Sequence, residues 1–268
     1  MQSYIFTSVD MDTPQFIAAA GGVVGVFSAR SPDPAHDRNE DSAAVFVIDD
    51  DRAVLAVADG VGGVRGGDLA SSLAVLELQV ALENGLGEDK SLRACIMDGF
   101  EGANRTVVAT GTGAASTFSV VEVDARTVRP YHAGDSAILA VGLRGRIKVQ
   151  TVAHSPVGYA VESGIIDERE AMQHDDRHVV SNVVGDSGMH IEVGPPLAMA
   201  RRDTVLLASD GLTDNLRTDE IVEMIRKSRL ETVMKRVATE AQRRMLEPTA
   251  DRPSKSDDLT FLIFRRTQ

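Results

Sequence analysis

Only one cysteine, Cys95, stands among the 268 residues, so no disulfide forms within the chain. Cys95 is not the nucleophile of a Cys-x5-Arg phosphatase either, because Glu101 holds the arginine position. It lies in a helix-like stretch and reads as core. No run approaches the roughly 20 apolar residues that span a bilayer. The amino-terminal MQSYIFTSVDMD has neither the basic region nor the long apolar segment of a signal peptide. Positive charge is scarce: 28 Lys and Arg against 40 Asp and Glu leave −12. That balance argues against a DNA or RNA partner, whose phosphates need clustered cations. Repeats and low-complexity tracts are missing. Neither glycine pair, Gly62-Gly63 or Gly66-Gly67, is followed by the lysine of a P-loop; close backbone approach is the better reading. These absences predict a soluble cytoplasmic protein with no membrane span. Its 43% hydrophobic content is ordinary, enough for a core hiding roughly 70–75% of the unfolded surface.

Apolar periodicity supplies the elements. Gly22 to Ala29, Ala43 to Ile48 and the nearly all-apolar Ala53 to Ala58 predict strands, the last central and buried on both faces. Pro32 and Pro34 make Ser31 to Asp37 a loop. Leu69, Leu73, Leu76 and Val80 predict one helix stripe, and Leu92, Ile96, Phe100, Ala103 and Val107, capped by Ser91, predict another. Strands return near Phe118 to Asp124, Thr127 to His132, Ala137 to Val141 and Arg146 to Val152. After a looser stretch, in which Asp167 and Glu170 form a capping box, come a buried strand, Thr204 to Ala208, and two helices, Asp219 to Arg226 and one opening at Ser228. Leu259 to Phe264 is the final strand. Grouped rather than alternating elements predict an α+β fold. The expected architecture is a four-layer α-β-β-α sandwich of two antiparallel sheets flanked by helix pairs, in a single domain over residues 1–268 with a flap-like insert at 154–193.

Acids mark the strand ends. Asp41 follows Asn39-Glu40, Asp59 ends one buried run and is followed by Gly60, Asp210 ends another and is followed by Gly211, and Asp257-Asp258 precede the final strand. Asp135 sits in the turn His132-Ala133-Gly134-Asp135-Ser136. A buried carboxylate is expensive unless compensated. Several at one place suit hard divalent cations, which take carboxylate, carbonyl and water oxygens.

This ordered set resembles the metal-dependent serine/threonine protein phosphatases of type 2C, the PPM family, from about Gly22 to Phe264. The series Ala153-His154-Ser155, Gly164-Ile165-Ile166, Glu170-Ala171, His174, Arg177, Val180 and Val184-Gly185 resembles the flap of bacterial members. The resemblance implies a phosphoric monoester hydrolase acting on phosphoserine and phosphothreonine proteins, with two or three manganese or magnesium ions and no phosphoenzyme. It implies Asp41, Asp59, Asp210, Asp257 and the Gly60 carbonyl as ligands, and Asp135 as holder of a third, weaker ion with Asp214 nearby. Glu40 and Asp258 become supporting groups. A water bridging two ions, deprotonated near neutral pH, would be the nucleophile. A cognate serine/threonine kinase and a monomeric state are expected as well.

Two positions depart from the pattern. His36 stands where many relatives clamp phosphate with arginine, leaving His36 and Arg38 as phosphate-binding candidates. Val61 stands where animal members often carry a histidine. Two other readings are an inactive family member that binds phosphoproteins and a small-molecule phosphomonoesterase. Bland roles are expected for the rest: His132 as packing, His154, His174, His178 and His190 in surface or flap positions, Arg201-Arg202 and Arg265-Arg266 as solvated edges, and Arg243-Arg244 on a helix's polar side.

Overall fold

The computed structural model describes residues 1–61, 66–124, 126–249 and 252–267. In chain order it forms β1 (Gln2–Thr7), β2 (Gln15–Ala19), β3 (Gly22–Ala29), β4 (Asp41–Val47), β5 (Arg52–Asp59), α1 (Gly67–Gly87), α2 (Leu92–Ala109), β6 (Phe118–Asp124), β7 (Thr127–Ala133), β8 (Ala137–Val141) and β9 (Ile147–Gln150). There follow α3 (Pro156–Glu162), α4 (Glu168–Ala171), β10 (Glu192–Val193), β11 (Leu197–Ala198), β12 (Thr204–Ala208), α5 (Asp210–Thr213), α6 (Thr218–Ile225), α7 (Leu230–Leu246) and β13 (Leu259–Arg266). The first sheet runs β1-β4-β5-β6-β7-β10, with β11 also on β7; the second runs β2-β3-β13-β12-β8-β9. Their pairings are antiparallel.

Strand alternation builds the layers. Along β5, Val54, Ala56 and Ala58 face α1 and α2, while Ala53, Leu55 and Val57 face the other sheet. Along β13, Leu262 and Phe264 face the first sheet, and Leu259, Phe261 and Ile263 face α6 and α7. Three apolar cores therefore separate four layers, as the grouping of elements predicts, and the helices cover the outer sheet faces.

The predicted stripe on α1 points the wrong way. Leu69, Leu76 and Val80 are exposed, and α1 buries Ala70, Ala74, Val75, Leu78 and Leu82 instead. Close helix packing selects the small face: a Cβ on Gly99 of α2 would lie 2.8 Å from Leu78, and one on Gly85 would lie 2.5 Å from the Cys95 sulfur. Cys95 is core, as expected. The stripe on α2 is buried, and Ser91 caps it by accepting from the Ala94 amide at 3.2 Å. Ser228 caps nothing; α7 opens one residue later, after Arg229. Strands β1 and β2 have no counterpart in the sequence reading, and Gly62 and Gly63 lie outside the described residues.

Candidate metal centre

Antiparallel pairing brings the acids together. Asp41 opens β4 and Asp59 closes β5, and the two stand directly opposite in register. In the other sheet Ala208 pairs with Phe261, so Asp210, beyond one end of β12, and Asp257, just before β13, share an edge. Hydrogen bonds join the sheets there: Ser209 Oγ donates to Asp41 Oδ2 at 2.8 Å, and the Asp210 amide donates to Asp59 Oδ2 at 3.3 Å. Asp258 accepts from the Ser31 amide at 2.7 Å and the Glu40 amide at 2.6 Å, tying the loop before β4 to the start of β13.

Two glycines permit this crowding. A Cβ on Gly60 would fall 2.5 Å from the Gly67 backbone and 2.8 Å from the Glu40 carbonyl. A Cβ on Gly211 would fall 1.8 Å from the Asp258 carbonyl oxygen. The Asp-Gly at 210–211 is thus a close crossing of two backbones and not merely a turn.

Burial and mutual repulsion raise the acids. Asp41 and Asp59 are pushed well above the carboxylate range, first by desolvation and then by neighbouring carboxylates. Burial and then Asp210 lift Asp257 to about 6 and Asp135 to about 7. Asp214, Glu40 and Asp258 are also raised, chiefly by burial. Like charges packed this closely need a compensating cation.

Part of that cation is built in, at a residue the sequence reading missed. The Lys255 ammonium lies 2.6 Å from Asp210, 3.0 Å from Asp214 and 2.9 Å from Asp257. Burial works against its charge, but the three aspartates outweigh burial and keep it protonated. One positive charge against this many carboxylates leaves a deficit. An all-oxygen donor set of this kind fits magnesium or manganese.

His36 and Arg38 sit exposed on the loop before Glu40. Arg38 pairs with Asp68 at 2.8 Å, and His36 is 4.0 Å from Asp33. A cleft of about 370 Å³ opens beside Asp135, Asp210 and Asp214 and is lined on its other side by Val157, Met172 and Arg177.

One histidine departs from its expected role: His132 packs and His174, His178 and His190 are exposed, as expected, but His154 is not at the surface. His154 is buried, stacks on His132 at 4.3 Å and lies 5.1 Å from His190. Together His132, His154 and Glu192 place possible ligand atoms within 4.8 Å of one another. However, His154 Nδ1 accepts the Gly134 amide at 3.1 Å, so Nε2 keeps its proton and donates to Glu192 at 3.1 Å. With Nδ1 accepting and Nε2 donating, His154 has no lone pair left for a metal. The His154 amide also donates to the Gly134 carbonyl at 3.1 Å. His154 therefore clamps both backbone groups of the residue before Asp135, a positioning task that no spacing announced. Arg244 is likewise not on a polar face: it is buried, with Glu220 at 2.6 Å.

Known proteins resemble this chain in sequence and fold. The protein phosphatase 2C family matches residues 34–248. The serine/threonine phosphatase stp of Listeria monocytogenes is 28% identical over 201 residues, 71% of this chain and 79% of that protein. Protein phosphatase PhpP of Streptococcus pneumoniae is 27% identical over 197 residues, covering 70% of this chain and 78% of its own. Among solved structures, the Staphylococcus aureus serine/threonine phosphatase Stp1 superposes with a TM-score of 0.72 at 22% identity, over 97% of this chain and 99% of that one. The catalytic domain of the phosphatase PstP, in complex with 2 manganese ions, gives a TM-score of 0.71 at 22% identity over 91% of this chain and 98% of its own. With four layers, acids gathered where the two sheets meet, and a family match over most of its length, the chain belongs to the protein phosphatase 2C family.

Proposed function

We propose that this chain is a protein serine/threonine phosphatase whose Asp41, Asp59, Asp210 and Asp257, with the Gly60 carbonyl, hold divalent ions at the junction of the sheets. The observation that carries this reading is the convergence of these acids at one junction: Asp41 stands opposite Asp59, the Asp210 amide donates to Asp59, and the Lys255 ammonium joins Asp210, Asp214 and Asp257. Bound ions would supply Lewis acidity toward the phosphoryl group and toward the attacking water. The chain's own groups do the rest. Asp258 fixes Glu40 through its amide, and Ser209 fixes the Asp41 carboxylate, so the ligand oxygens are pre-organised. His36 and Arg38, exposed on the loop before Glu40, are the groups at hand for phosphate oxygens. The segment 154–193, part of one domain, forms the outer wall of the cleft and selects among substrates. Support for phosphoprotein substrates comes from the Listeria and Streptococcus relatives, both named as phosphatases.

No described helix is long and apolar enough to cross a membrane. A cytoplasmic, monomeric enzyme opposing a serine/threonine kinase completes the proposal; the kinase follows from chemistry, since something must form each ester that is cleaved. The test is turnover of a phosphothreonine peptide beside small phosphomonoesters, with and without manganese, with Asp210→Asn as control. Manganese-dependent peptide turnover that Asp210→Asn loses supports the proposal. Turnover insensitive to chelation, or preserved in Asp210→Asn, overturns it.

A further inference from the structure

Arg201 and Arg202 are exposed, as expected, while Arg265 and Arg266 are half-buried. Strand register sets Thr204 opposite Arg265, so the two pairs, some 60 residues apart in sequence, meet at one end of the second sheet. The turn between α6 and α7 adds Arg226, Lys227 and Arg229. Together they line a groove of about 590 Å³ in which, among the described residues, Glu231 is the one acid.

Seven of the chain's 28 basic residues lie here, with one of its 40 acids. The rest of the chain then holds 21 bases and 39 acids, a net −18. Among the described residues, Arg201, Arg202, Lys227 and Arg229 make no ion pair with a carboxylate. Arg226 pairs with Glu223 at 2.7 Å, yet its Nε is buried without a hydrogen-bond partner. Arg265 spends its guanidinium on neutral acceptors: Thr204 Oγ1 at 3.1 Å and the Ser228 and Ile225 carbonyls, both at 2.5 Å. Burial, and then Arg202, lower its pKa. Lys227 and Arg229 also flank the first turn of α7, where the helix dipole already favours anions over cations. Positive charge is thus concentrated here with few carboxylates beside it.

We propose that this groove is a second anchoring site, for an acidic segment of the phosphoprotein substrate distant from the ester being cleaved. Guanidinium groups pair with carboxylate or phosphate oxygens in two-point contacts. The groove is lined by Val23, Leu143 and Leu230 and by no aromatic ring, which suits an extended acidic peptide better than a nucleotide base. Anchoring there would offset the repulsion between an acidic enzyme and phosphorylated substrates. The proposal rests on the phosphatase reading for its substrate class only; anion binding at the groove can be measured without turnover.

The test compares two phosphothreonine peptides that share the same site, one of them extended through about twelve residues to a block of glutamates. At about 3.4 Å per extended residue the link exceeds the ~26 Å length of β13 and allows for the path around the surface. With wild-type enzyme the extended peptide should show KM lower by roughly tenfold at unchanged kcat. Arg202→Glu with Lys227→Glu should erase that difference and leave the short peptide untouched. An unphosphorylated glutamate peptide, followed by fluorescence anisotropy, should bind wild type, release with added salt and fail to bind the double variant. Equal KM for both peptides, or a difference that survives charge reversal in a variant with wild-type circular dichroism, overturns the proposal. Inorganic pyrophosphate binding in the groove without any peptide binding overturns it too, since that marks a small-anion site.

Discussion

Strands β12 and β13 carry opposite charge at their two ends. Where β12 finishes and β13 starts lie Asp210, Asp257 and Asp258; where β12 starts and β13 finishes lie Arg201, Arg202, Arg265 and Arg266. The acids are buried or half-buried and fixed by amides and one ammonium, whereas Arg201 and Arg202 are exposed. The same kind of crowding has different consequences in the two places. Two charges 4 Å apart interact by about 1 kcal/mol in water and by about 4 kcal/mol at an effective dielectric of 20. Buried like charges therefore demand a cation of high charge density, while exposed ones only tune encounters and are weakened by salt.

The strongest way to break this contrast is Asp59→Ala. Turnover of a phosphothreonine peptide with manganese should fall by roughly 10²–10³-fold or more, with the far-ultraviolet circular dichroism unchanged. Full activity would remove the acid end from the chemistry. A second way is pH. In chelator-treated protein, Asp257 at about 6 and Asp135 at about 7 lie above the ordinary aspartate value of about 3.9. The folded state then binds more protons than the unfolded one between those values, so stability is highest below about pH 4 for these groups and declines as pH rises toward 7. The melting temperature without metal should drop over that window, and manganese should reverse the drop at pH 7.5; a flat profile would mean the acids are not mutually strained. Third, Lys255→Met removes the built-in cation. Manganese affinity, measured by calorimetry, should rise roughly tenfold, a change worth about 1.4 kcal/mol, while the metal-free protein melts lower. Unchanged affinity would show that Lys255 does not compete with metal. The smallest effect belongs to the basic end: Arg202→Glu with Lys227→Glu should leave kcat and KM for a short phosphopeptide within about twofold, because exposed charges contribute little.

The buried half of this architecture was legible because continuous apolar runs such as Ala53 to Ala58 mark strands buried on both faces, and because acids ended them. Other parts were not. Strands β1 and β2 are edge strands, half exposed, and their short runs Gln2–Thr7 and Gln15–Ala19 lack a decisive alternation. On α1 both faces carry apolar residues, and larger leucines outvoted the small alanines that close packing prefers. Lys255 sits in a polar loop where nothing local distinguishes it from a solvated lysine; only the fold aims it at the acids. The arginine pairs read as edges because their meeting depends on strand register, which a one-dimensional pattern does not contain. His154 escaped for a related reason: its partner Gly134 is twenty residues away, in a turn with no side chain to signal the contact.

Strand β13 lies in the middle of the second sheet, between β3 and β12. During synthesis, a ribosome must therefore deliver residue 266 before β3, made more than 200 residues earlier, gains that neighbour. Such late, long-range pairing is slow. It also acts as a timing lock: Asp257 arrives with the strand that closes the sheet, so a partly made chain lacks both a sealed core and its full set of acids, and the cell receives no hydrolase until translation has passed that point.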